Sequence, residues 1–294
     1  MAILVTACSA TATGSRQPAR SEPILAQSNS SLPMLPIESY MFSAKQTNFI
    51  DKAFSDVTRQ CMARFDLPYD SQHPPAINVR LLDRRYGVTD ARSAARYGYH
   101  LPPDSPQAVA QAQSERHRSS PLGPDELRVL SGLRSGVPVS RPSSQRAGSY
   151  RGVPIPEGGC FGEARRALDE NGPGEDFTLV HQLNVESFNQ SATAPSVRAA
   201  VGQWSRCMSA TGYSHSDPLA ALAAFDIGTA APSQQELRTA EADVRCKSRT
   251  HLVAAWTAAE VAIQNESIRV NHAELTLIRD RMDRQLRAAG SINR

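Results

Sequence analysis

Between Ser233 and Ala289 the chain contains neither glycine nor proline. These two residues break helices most readily, so so long a stretch without them commits the C-terminal part of the molecule to helix. Ser233 and Glu236 stand at the spacing of a capping box at its start. Leu237, Ala240, Val244, Trp256, Ala259, Ile263, Val270 and Leu277 then keep a helical beat, with acidic and basic residues alternating around them. One unbroken helix would run roughly 80 Å at about 1.5 Å per residue. A helical hairpin turning near Asn265–Ser267 satisfies the same pattern.

Two upstream segments share a second design. In SAKQTNFIDKAFSDVTRQCMARFDLPY, Ser43 and Gln46 form a capping box, and Phe49, Ile50, Ala53, Phe54, Val57 and Cys61 fall on one helical face. In PSVRAAVGQWSRCMSATGYSH the stripe is Val197, Ala200, Val201, Trp204, Cys207 and Met208. Both stripes run into Cys-Met, then a turn at Asp66 or Gly212, then Tyr69 or Tyr213. Each half supplies one more helix-borne cysteine. Cys160 opens CFGEARRALDENGPG, with a stripe of Phe161, Ala164 and Leu168 and Gly172 placed as a stop, and Cys246 lies in the C-terminal tract.

Four cysteines allow three pairings, and spacing does not choose among them. Reading the halves as a loose internal duplication favours Cys61–Cys160 and Cys207–Cys246, each bridge worth ~2–5 kcal/mol. The expected fold is mainly α, with disulfide-stapled helical units at 38–100 and 158–290 and a long C-terminal helix or hairpin. A Pro/Ser/Gly/Arg-rich linker, 101–157, joins them. DELRVLSGL reads as a short helix within it, while SGVPVSRPSSQRAGSYRGVPIPEGG has too few apolar residues to build a core alone.

The fifth cysteine is different. Val5-Thr6-Ala7-Cys8 fits a bacterial lipobox, with an aliphatic residue at −3 and small residues at −2 and −1. Residues 1–8 thus read as the tail of a lipoprotein signal peptide with Cys8 as the lipidation site, and 9–37 as the Ser/Thr/Ala/Pro/Gln-rich tether behind it. No positively charged region precedes the apolar run, so the start of the leader is expected upstream of Met1. An even set of four remaining cysteines suits an oxidising, extracytoplasmic compartment. No other segment approaches the ~20 apolar residues of a membrane span, so anchoring is expected through lipid on Cys8 alone.

Composition removes several functions. Net charge is +3 with no dense Lys/Arg block, which is not a nucleic-acid footprint. H-E-x-x-H and G-x-S-x-G are absent, and Phe42, Phe49 and Val244 stand three residues before the lysines Lys45, Lys52 and Lys247, so no S-x-x-K exists. Gly172–Phe177 resembles a phosphate loop but contains proline and follows a helix. The seven histidines never pair at i, i+3 or i, i+4, so neither a metal nor a cofactor is implied. Cys160 with Glu163 and His181 or His251 can be written as a thiol nucleophile, but such a thiol must be reduced, and the disulfide reading is preferred.

One block stands out: RLLDRRYGVTDARSAARYGYH, residues 80–100. Arg80, Arg84, Arg85, Arg92 and Arg96 alternate with Tyr86, Tyr97 and Tyr99, with Thr89 as a helix cap and Gly98 as its stop. Arginine and tyrosine are enriched at interfaces, which makes these a binding surface for an acidic or glycan-like envelope partner. Alternatively, the tyrosines cover a small core beneath solvated arginines.

LVTAC, the Cys-Met helix ends, the RRYGVTD…ARYGYH block, GGCFGEA and the Gly/Pro-free tail together resemble uncharacterised exported lipoproteins of actinobacteria. The resemblance spans most of residues 40–285 and implies an envelope location without assigning catalytic residues. The expected function is a lipid-anchored, non-catalytic binding or scaffold module. The competitors are an envelope hydrolase using dispersed carboxylates such as Glu157, Glu163, Asp169 and Glu170, and a cytosolic coiled-coil adaptor with reduced cysteines.

Overall fold

The computed structural model describes residues 34–69, 84–105, 122–133, 148–168 and 177–294, with a few isolated positions between 105 and 122. A 3-10 turn, Pro36–Tyr40, leads into α1 (Ala44–Ala63). Then come α2 (Ala91–Tyr97), α3 (Pro124–Ser131), the strands β1 (Ser149–Tyr150) and β2 (Val153–Pro154), and α4 (Gly159–Ala167). The larger half holds α5 (Thr178–Ala192), α6 (Pro195–Ala210), α7 (Pro218–Ala223), α8 (Gln234–Arg249), α9 (Leu252–Val270) and α10 (His272–Ile292). The fold is mainly α; the two strands form one antiparallel hairpin, Ser149 opposite Pro154.

At α1 the capping box is reciprocal: Ser43 Oγ accepts from the Gln46 N–H, and Gln46 Oε1 accepts from the Ser43 N–H at 2.9 Å. At α8 only half of it forms. Ser233 Oγ accepts from the Glu236 N–H, but the Glu236 carboxylate turns away to Tyr99 and His100. The C-terminal tract is neither one rod nor a hairpin turned at Asn265–Ser267. It breaks at Thr250–His251, where His251 adopts a left-handed φ of 53°, and again at Asn271. The second break sets Val270 and Leu277 off the core face, 66% and 57% exposed, and Leu275, Ile278, Met282 and Ala289 are the buried residues instead.

The largest core gathers α5, α6, α8 and α9 with Ile37, Tyr86, Val88, Ala94 and Tyr99, and takes Leu275, Ile278 and Met282 from α10. A second core joins Cys61, Met62 and Phe65 at the end of α1 to Val129, Leu130, Tyr150 and Cys160. A third, of Ile50, Ala53, Leu168 and Ala289, lies where α1 meets α4 and the far end of α10. So the tether expected over 9–37 is folded at its end, where Ile37 is fully buried. The described part of the 101–157 linker supplies core residues, and residues 84–100 pack with the larger half.

Both expected disulfides are present, Cys61–Cys160 and Cys207–Cys246, with Cα separations of 5.5 and 5.7 Å. The duplication is visible at the helix ends. The Leu67 N–H reaches the Met62 carbonyl, the Tyr213 N–H reaches the Met208 carbonyl, and left-handed Asp66 and Gly212 fill the same position in each turn. It does not extend to the partner helices, because Cys160 sits in the first turn of α4 and Cys246 in the last turn of α8. The first bridge depends on a backbone approach: a β-carbon on Gly159 would lie 2.3 Å from the Leu130 carbonyl oxygen, so only glycine lets α3 and α4 meet here. Gly172, expected to stop this helix, lies outside the described residues.

Candidate functional site

The Arg/Tyr block is two things at once: a buried clasp and a small outward face. Arg84 closes the clasp on itself, donating to the carbonyls of Tyr99 and His100 at 2.6 Å each. Arg85 turns inward onto Glu260 of α9, which is fully buried; Nε lies 3.0 Å from both carboxylate oxygens, and Nη2 adds a further bond to Oε1. Tyr86 donates to Glu260 Oε2 at 2.8 Å and packs its ring on Trp256 and Phe188, with centroids 5.1 and 6.4 Å away. Ser187 and Gln264 donate to the same carboxylate, and Gln264 Oε1 accepts from the Ile37 N–H. The Glu260 carboxylate thereby fastens the clasp and α5 to α9, and Gln264 beside it holds the N-terminal turn.

A second buried group fastens the other end. Asp243 of α8 accepts from Trp204 Nε1 at 2.9 Å, from Lys247 Nζ at 2.9 Å and from the Tyr99 hydroxyl at 3.4 Å. Lys247 also donates to the Val88 carbonyl at 2.8 Å. Glu236 accepts from the Tyr99 N–H at 2.8 Å, with His100 Nδ1 at the same distance. Glycine again permits the approach: a β-carbon on Gly98 would lie 2.6 Å from Glu236 Oε1, and one on Gly87 would lie 2.8 Å from Lys247 Nζ. Within the clasp, Asp90, not Thr89, caps α2 by accepting from the Ser93 N–H, and Gly98 stops it as expected.

Burial dominates the electrostatics. It holds the Asp243 carboxyl above its usual range, although Lys247, Trp204 and Tyr99 pull the other way. Burial likewise holds the Lys247 ammonium below its usual value against the attraction of Asp243, and the Arg84 charge adds to that lowering. The Tyr86 and Tyr99 hydroxyls are raised by burial first, then by the charges of Glu260 and Asp243.

Tyr86 and Tyr99 are therefore core residues, 1% and 0% exposed, and Arg84 and Arg85 are directed inward. Arg92 and Arg96 are exposed on the outer face of α2, and Tyr97 is half-buried beside them with the Arg96 guanidinium 5.2 Å from its ring centre. Arg80 lies outside the described residues, as does Cys8. The sequence pattern gives no sign that Glu236, Asp243, Lys247, Glu260 and Gln264 hold the clasp, although 236/243 and 243/247 share the α8 face carrying Ala240, and 260/264 share the α9 face carrying Trp256 and Thr257.

Of the four carboxylates suggested for a hydrolase, the two described are engaged separately. Glu163 pairs with Arg64 across α1 and α4, Glu157 is exposed and lends its backbone carbonyl to Arg166, and Asp169 and Glu170 lie outside the described residues. A shallow groove of about 730 Å³ is lined by Ser43, Lys45, Gln46, Asn48 and Phe49 of α1 and its cap, with Leu286 of α10. Among the described residues, no three His, Cys, Asp or Glu side chains gather as metal ligands, and no helix is long and apolar enough to cross a membrane. Cys160, bonded to Cys61 and fully buried, is not a free thiol. Two such bridges belong to an oxidising, extracytoplasmic environment. No protein-family model, curated protein or solved structure matches this chain.

Proposed function

We propose that this chain is a lipid-anchored helical module of the cell envelope that binds or scaffolds other envelope components and is not itself a catalyst. The observation that carries the reading is the pairing of all four helix-borne cysteines within the folded core, which sets Cys8 of the LVTAC motif apart as the fifth cysteine of the sequence. Further support comes from the buried ionisable groups. Asp243, Lys247, Glu236 and Glu260 are buried and bonded into the clasp.

The test fuses a bacterial lipoprotein leader ahead of the LVTAC motif in a host that lipidates exported proteins. Palmitate label incorporated by the wild type and lost in Cys8→Ser supports anchoring, with the four other thiols blocked to alkylation until reductant is added. Equal labelling of both proteins, or four titratable thiols in freshly isolated material, overturns the reading.

A further inference from the structure

We infer that the outer face of α2 is an anion-binding surface for an acidic polysaccharide chain. A helix of seven residues is marginal by itself, and this one carries a single fully buried side chain, Ala94. Its position is fixed from beneath by the buried bonds of Glu236, Asp243, Lys247 and Glu260 to the chain on either side of it. Buried charges seldom outdo apolar packing in net stability, but they fix geometry sharply. What they fix here is the placement of the short helix that carries Arg92 and Arg96.

These arginines lie one turn apart, with β-carbons about 5–6 Å from one another. Among the described residues neither guanidinium meets a carboxylate, and the partner of Arg96 is the Tyr97 ring. The nearest acid in sequence, Asp90, is engaged with the Ser93 N–H. Two adjacent planar forks with free donors match carboxylates repeated along a polymer, each fork able to take one group in a two-bond grip. A lipid surface fits less well. Two arginines alone hold an anionic bilayer only weakly, and none of the large exposed hydrophobic residues falls within 84–105 to enter it.

This inference deepens the binding-module reading, and unlipidated protein tests it independently of anchoring. Full-length Cys8→Ser protein, oxidised, is titrated with polygalacturonate at low and at physiological ionic strength, beside Arg92→Glu/Arg96→Glu and a matched control, Arg198→Glu/Arg206→Glu, which reverses two exposed arginines of α6. The expected result is salt-sensitive binding that weakens about tenfold or more in the α2 variant and is retained in the control. Near-ultraviolet circular dichroism unchanged in both variants shows that the clasp is intact. Equal loss in both variants would reduce the effect to net charge and overturn the inference. So would absence of polymer binding at low ionic strength, or retention by phosphatidylglycerol vesicles in place of the polymer.

Discussion

Asp243 and Lys247 stand one helical turn apart, with side chains 0% and 2% exposed, and the two partners are not interchangeable in what their loss leaves behind. A carboxyl held above 3.8 binds its proton more readily folded than unfolded, so its contribution to stability is full below 3.8 and lost as pH rises through the folded value. The ammonium is the mirror image: held below 10.5, it contributes fully above 10.5 and less as pH falls through the folded value. Removing either partner exaggerates the displacement of the other. Lys247→Met should therefore be destabilised most near about pH 8 and recover toward about pH 5, whereas Asp243→Asn should recover as pH rises. Urea unfolding midpoints across that range test the opposed slopes, and parallel slopes would show that the ion pair does not set them. Glu260→Gln strips the counter-charge from Arg85, which is only 11% exposed, and should cost ~3–5 kcal/mol. Glu266→Gln, in an exposed pair with Arg269, should leave the midpoint unmoved, which separates burial from charge count.

Helix content was legible in the sequence because apolar periodicity and capping residues report local structure, and α1, α3 and α6 lie where those signals put them. The breaks in the C-terminal tract were not, because neither His251 nor Asn271 is a glycine or a proline. His251 occupies the left-handed region because Leu252 and Trp256 must return to the core that α8 already lines. That conformation costs an L-residue about 1–2 kcal/mol, so His251→Gly should raise the melting temperature; no change, or a fall, would place the strain elsewhere. Glycine positions divide the same way. Gly212 has φ of 90° with open space around it, so Gly212→Ala should cost only the left-handed penalty of about 1–2 kcal/mol. Gly159→Ala meets backbone at 2.3 and 2.4 Å and must part α3 from α4, so its loss should be several times larger. Non-reducing peptide maps of that variant should also show less Cys61–Cys160 bridge, since α4 carries Cys160 into place.

Across the whole molecule, the pairing of cysteines was readable from the repeated helix ends, while the route of the clasp was not. Residues 84–100 follow α1 in sequence yet dock on α8 and α9, and the buried polar groups that hold them there read in the sequence as an ordinary solvated helix face. Of the three cores, α10 joins two: Leu275, Ile278 and Met282 enter the largest, and Ala289 reaches the junction with α1 and α4. Its end is tied down by Asn293, which donates to the Phe49 carbonyl and accepts from Lys52. Each disulfide, by contrast, serves one core. Cys61–Cys160 spans 99 positions and staples α1 to α4, whereas Cys207–Cys246 spans 39 and staples α6 to α8. The longer loop restrains the unfolded chain more, yet the core it closes is the smaller one, so removing it should act locally. Cys61→Ser/Cys160→Ser is expected to lose ~2–5 kcal/mol, read as faster hydrogen exchange at amides of α1, α3 and α4, while α6, α8 and α9 stay protected. Cys207→Ser/Cys246→Ser should instead raise exchange through the clasp as well, because Trp204 and Asp243 meet beside that bridge. Uniform exchange across both halves in the first variant would mean that α10 couples the cores into one cooperative unit, and the stapled-unit description would have to give way to a single domain.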